Sequence, residues 1–118
     1  MPFLKLETNV ALEQEQAKTL VHGLSVLAAD MLGKPESAVL AVVEPDKIMS
    51  FGGTDAPTAF VTLKSVGFPE DKAGWFSATI CAFLEDSLSI PPDRVYIAFN
   101  DIRRSMIGWN SDTLEARK

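Results

Sequence analysis

The chain has 118 residues, 47% of them hydrophobic, with a formal net charge of -5 and a pI near 4.7. That is enough for one compact domain, residues 1–118, to bury a core without disulfide or metal staples. The acidic balance speaks against nucleic acid or an anionic membrane as the main partner, because both reward clustered Lys and Arg and the only adjacent basic residues are Arg103-Arg104 and the terminal Arg117-Lys118. The single cysteine, Cys81, cannot form an internal disulfide, and in the apolar stretch Thr79–Phe83 it reads as a small buried hydrophobe compatible with a reducing cytoplasm. The N-terminus lacks a basic region followed by an apolar run and a small-residue cleavage site, and no apolar segment approaches membrane-spanning length. These features predict no membrane partner and a cytoplasmic protein, or one secreted without a signal peptide.

From Pro2 to Thr8, Leu4 and Leu6 alternate with Lys5 and Glu7, the period-two pattern of a half-buried strand. Between Leu12 and Leu32 the apolar residues Ala17, Leu20, Val21, Leu24, Ala28 and Met31 recur at three- and four-residue steps, so this stretch predicts an amphipathic helix. Gly33 and Pro35 supply its stop signals. Ala38–Val43 is a continuous apolar run of strand length, and its lack of alternation predicts burial on both faces. After the tight turn expected at Gly52-Gly53 the order repeats, with a strand over Thr58–Lys64, a helix over Trp75–Leu88 and a strand over Arg94–Asn100. The second helix carries Phe76, Ile80, Phe83, Leu84 and Leu88 as its apolar stripe. Two β-α-β units give an α/β (α+β) fold with a four-stranded mixed sheet and both helices on one face. The other face, read as rich in Val, Leu, Ala and Phe, needs a cover, which self-association into a closed ring would supply.

Pro2 is the chemically suggestive residue. Behind an initiator methionine, removal of Met1 turns its nitrogen from a peptide nitrogen with no usable lone pair into a basic secondary amine. The sole histidine, His22, reads as a helix-flank residue, and no metal-ligand spacing, phosphate-binding glycine loop or serine triad pattern occurs.

The ordered series Met1-Pro2-Phe3, Thr8-Asn9-Val10, Gly33-Lys34-Pro35, Phe51-Gly52-Gly53, Ser65-Val66-Gly67, Pro92–Ile97 and Ile107-Gly108-Trp109-Asn110 resembles the macrophage migration inhibitory factor and D-dopachrome tautomerase family over nearly the whole chain. The resemblance implies a homotrimer of the tautomerase fold with active sites between subunits. It also implies a keto-enol tautomerase that needs no cofactor and acts on small enolisable 2-oxo acids such as phenylpyruvate. Pro2 would be the general base, and Lys34 would line the pocket and bind the substrate carboxylate or enolate oxygen. Val66 would offer its backbone N–H and an apolar wall, Ile107 a second wall, and Tyr96 would reach in from the neighbouring subunit. Phe3 stands beside Pro2 and is counted with the pocket. By residue type alone, Lys34 also reads as a solvated lysine complementing a helix end, while Tyr96, Phe3 and Trp109 also read as packing aromatics.

Three departures from the family pattern stand out. Ala98 replaces an asparagine two residues after the tyrosine, Thr58 and Val61 replace a Cys-x-x-Cys pair, and a charged Leu114–Lys118 end replaces a C-terminal phenylalanine. A different function class is also open, because animal members of the family act as cytokines at receptors. The dehalogenase and decarboxylase branches of the superfamily recruit arginines around the proline, and the lack of any arginine before Arg94 argues against them.

Overall fold

The computed structural model describes residues 1–117; Lys118, the last residue of the charged end noted above, lies outside them. Strand β1 (Pro2–Thr8) is followed by helix α1 (Gln14–Leu32), strand β2 (Leu40–Glu44), strand β3 (Ala59–Val66), helix α2 (Ala73–Leu88) and strand β4 (Val95–Ile102). A short ribbon of β5 (Gly108–Trp109) and β6 (Asp112–Thr113) closes the chain. The four long strands form one sheet in the order β2-β1-β3-β4. Strand β1 runs parallel to β2 and antiparallel to β3, and β3 runs parallel to β4. The expected mixed sheet of two β-α-β units is therefore the observed one.

Register sorts the side chains into two faces. Leu4 stands opposite Leu63, and Leu6 opposite Val61, with Ile97 and Phe99 next in line on β4. This face meets Leu20, Leu24, Ala28 and Met31 of α1 and Phe76, Ile80 and Leu84 of α2 in one core. Each fully buried leucine contributes about 1.5–3 kcal/mol. Helix α1 begins where the Glu13 amide donates to Gln16 Oε1 at 2.9 Å, half of a capping box. It ends at Gly33, whose φ of 62° is the left-handed conformation of a C-terminal cap, with the Lys34 amide donating back to Ala29 O at 3.1 Å. Helix α2 starts two residues earlier than its apolar stripe suggests, and Pro69-Glu70-Asp71 lead into it through a single 3-10 turn.

The opposite face corrects two expectations. By register it carries Lys5, Glu7, Glu44, Thr62, Lys64 and Asn100 among its apolar residues, so it is mixed rather than uniformly apolar. Lys47 pairs with Glu44 at 2.6 Å and with Glu7 at 3.5 Å, while Lys5 pairs with Glu44 at 3.3 Å. Strand β2 is not buried on both faces either: it lies at the sheet edge with β1 as its one neighbour, and Leu40 is 58% exposed. An uninterrupted apolar run does not reveal which strand ends up at an edge.

The loop between β2 and β3 is held by polar contacts. Gly52 and Gly53, with φ of 61° and 81°, turn the chain so that Phe51 and Thr54 pair. Thr8 Oγ1 donates to Thr58 O at 2.8 Å, and Thr58 Oγ1 donates to Arg94 O at 2.7 Å. The Thr58 amide donates to Asn9 Oδ1 at 2.9 Å. Arg94 donates to Pro57 O, Phe51 O, Thr54 O and Ala56 O, with its guanidinium 5.3 Å from the Phe51 ring centroid. Arg94→Lys keeps the charge but loses the planar fork, so unfolding in urea should show a stability loss of about 1–2 kcal/mol. An unchanged midpoint would mean that the loop holds its own shape.

Candidate active site

The start of β1 opens into a cavity of about 640 Å3, lined by Met1, the segment Ser37–Leu40, Ile107, Gly108, Trp109 and Leu114. Two separate parts of the chain build it around the terminus. The first leads from α1 into β2 through a 3-10 turn over Glu36–Ala38. The second follows β4, where a 3-10 turn over Arg104–Met106 precedes the β5–β6 ribbon. The ribbon turns at Asn110 and Ser111, both at positive φ, so Trp109 pairs with Asp112 of its own chain. The Leu114 amide donates to Ile107 O at 3.1 Å, which brings both apolar walls to one side.

Met1 is half-buried and Pro2 fully buried beneath it, opposite Ser65. The Met1 amine is held below its ordinary value by burial first, then by the positive charges of Lys34 and Arg104. An amine lowered in this way gives up its proton more readily, as proton transfer at carbon requires of a base.

Of the residues singled out in the sequence, Ile107 lines this cavity, Pro2 is buried directly behind the lining residue Met1, and Lys34, positioned by the Gly33 cap, acts on the Met1 amine through its charge. Val66 is buried at the end of β3, one rung beyond the Pro2–Ser65 pair. Phe3 turns to the sheet's other face, where Lys64 Nζ sits 5.8 Å from its ring centroid. Tyr96 lies at the opposite end of the sheet: it registers with Phe60, which faces Glu7, five rungs from Pro2 and about 17 Å along the strands. There it borders a separate hollow of about 380 Å3 and stacks at 5.1 Å on Phe51. Within one chain, then, Tyr96 does not reach Pro2, and Ala98, on the same sheet face as Tyr96, registers through Thr62 with Lys5 at mid-sheet.

Sequence reasoning missed Arg104. Its Nη2 donates to Leu114 O at 2.6 Å, tying it to the cavity wall. The position of the arginines in the sequence therefore does not exclude a cation at the chain start. The usable signal was the pair Arg103-Arg104 standing just before the wall residue Ile107. Cys81, half-buried on α2, has its thiol pushed up chiefly by burial and stands away from this cavity. Among the described residues, no cluster of His, Cys, Asp or Glu could hold a metal ion.

The family profile described as "Macrophage migration inhibitory factor (MIF)" matches residues 1–115. The chain belongs to the macrophage migration inhibitory factor family. A MIF homolog of Trichuris trichiura is 41% identical, with 96% of this chain and 99% of the relative covered. The MIF of Xenopus tropicalis is 35% identical, covering 96% of this chain and 98% of its own length. Among solved structures, a MIF homologue from Prochlorococcus marinus superposes with a TM-score of 0.88 at 33% identity, covering 95% of this chain and 98% of that one. The MIF of Trichinella spiralis gives a TM-score of 0.85 at 32% identity, covering 94% of this chain and 98% of its own.

Replacing Lys34 by Met removes one of the two cations acting on the amine, so the N-terminal pKa should rise. It should stay below that of a free terminus, because burial, the larger cause, remains. An NMR titration of the terminal residue reads this directly, and an unmoved pKa would place Lys34 outside the site.

Proposed function

We propose that this MIF-family chain is a cofactor-independent keto-enol tautomerase of small enolisable 2-oxo acids, phenylpyruvate among them. The observation that supports this reading is the chain end seated in an apolar cavity with its amine depressed by burial and by Lys34. Removal of Met1 makes the Pro2 nitrogen the terminal amine at the start of the same strand. In the unprotonated form it takes a proton from the carbon beside the substrate carbonyl. The electron pair of that C–H bond becomes the enolate double bond, and the carbonyl oxygen takes up negative charge and then a proton. Lys34 stabilises the developing oxyanion or the neighbouring carboxylate, while Ile107 and Val66 hold the apolar part. In the reverse direction the protonated amine delivers the proton to carbon.

In this reading the active unit is a homotrimer, and Tyr96 serves the Pro2 site of a neighbouring subunit. The distance between the two residues within one chain favours that arrangement. Light scattering should report three chains at micromolar concentration, and a stable monomer would remove Tyr96 from the site. A receptor-binding role is the second reading, supported by relatives named for their effect on macrophage migration. Its test is a receptor-binding assay on protein whose tautomerase activity has been removed at Pro2.

Preparations with Met1 present and absent, verified by mass, should differ in phenylpyruvate turnover by two orders of magnitude or more, about the size of a lost general base. Retained Met1 leaves Pro2 an amide and also puts an extra residue between Pro2 and the cavity. Equal rates would remove Pro2 from the mechanism. In the active form kcat/KM should rise with pH through the pKa of the base. Lys34→Met, by raising that pKa, should move the rise to higher pH.

A further inference from the structure

Two cations, Lys34 and Arg104, act on the amine at the cavity's chain terminus from outside its lining. The lining includes no acidic side chain, and the walls are mostly apolar, with Val39, Leu40, Ile107 and Leu114. Lys34 arrives from the turn before β2, at one edge of the sheet, and Arg104 from the chain leaving β4, at the other edge. The ion pairs of the described residues involve Lys5, Lys18 and Lys47, and neither of these two cations. Arg104 is instead fixed by one donor: Nη2 bonds to the carbonyl of Leu114, a wall residue, at 2.6 Å. A guanidinium carries five donors, so this tether leaves donors free for an anion.

We propose that Arg104 is a second anion-recognition residue of the N-terminal cavity and that, together with Lys34, it selects small 2-oxo acids carrying two carboxylates over those carrying one. This rests on the tautomerase reading of the same cavity. A monocarboxylate answers one of the two cations and leaves the other to solvent. A dicarboxylate answers both, with the carboxylate beside the reacting carbonyl at Lys34 and the distal one at Arg104. Both side chains also act on the chain-terminal amine at this cavity.

The test compares 2-oxoglutarate with 2-oxopentanoate, which has the same five-carbon chain without the distal carboxylate. Binding of each to protein verified by mass to lack Met1 is measured by calorimetry at low ionic strength. Because Arg104 is exposed, the expected preference for 2-oxoglutarate is modest, about five-fold. Arg104→Gln keeps a donor for Leu114 O but no charge, and should reduce the ratio to near one. Arg104→Lys should retain most of it. A wild-type protein with no preference, no binding of 2-oxoglutarate, or an unchanged ratio in Arg104→Gln overturns the proposal. Phenylpyruvate turnover is followed on the same preparations. Turnover without an Arg104-dependent preference sinks this inference and leaves the tautomerase reading standing; a preference without turnover does the reverse.

Discussion

Strand β1 is paired on both sides, to β3 from Pro2 on and to β2 from Phe3 on, so beyond Pro2 it cannot move without breaking two ladders. Termini are commonly the loosest part of a domain. Here the terminus is the end of an interior strand whose alternate side chains, Leu4 and Leu6, are fully buried. A reacting group on a loop would need its own supports, whereas this one inherits the rigidity of the sheet. The cavity then needs only walls, and these come from the two segments that cross the end of the sheet, Ser37–Leu40 and the chain around Ile107 and Leu114.

The electrostatics follow from that placement. A half-buried amine loses hydration, which disfavours its charged form before any neighbour acts. Lys34 and Arg104 add to this effect and do not replace it, since burial is the largest cause. At the other end of the sheet the charges are handled differently: Lys5, Glu7, Glu44 and Lys47 pair with one another at the surface. Exposed pairs of this sort contribute little to stability. They do make that end of the sheet face polar, so a partner subunit would meet charge there as well as apolar surface.

Periodicity carried most of the fold. The alternation in Pro2–Thr8 and the stripes of both helices, Leu20-Leu24-Ala28-Met31 and Phe76-Ile80-Leu84, are local signals, and the core uses them as read. The exposure of β2 was not legible, because Ala38–Val43 has the composition of an interior strand and its edge position depends on how the other strands are ordered. Around the candidate site, Pro2, Lys34 and Ile107 were singled out from motif residues alone. Arg104 could not be, since its nearness to Met1 arises only when residues 103–114 fold back over the sheet end, some hundred positions away in sequence. The separation of Tyr96 from Pro2 is likewise a matter of strand direction: β3 runs antiparallel to β1, and β4 follows β3, so the start of β4 lies at the far end of β1.

Arg94 bonds to the loop ahead of β3 only through main-chain oxygens, those of Phe51, Thr54, Ala56 and Pro57. A carbonyl oxygen is the same whatever side chain follows it. The curve of that loop is therefore set by a residue far along the chain, and Thr54, Asp55 and Ala56 are released from much of the duty of shaping it. Their side chains can change through drift or by design while the path of the backbone, and with it the Phe51 ring against Tyr96, stays in place. For anyone wishing to graft a recognition sequence onto this protein, those three positions form a surface with few structural obligations, provided Arg94 is kept.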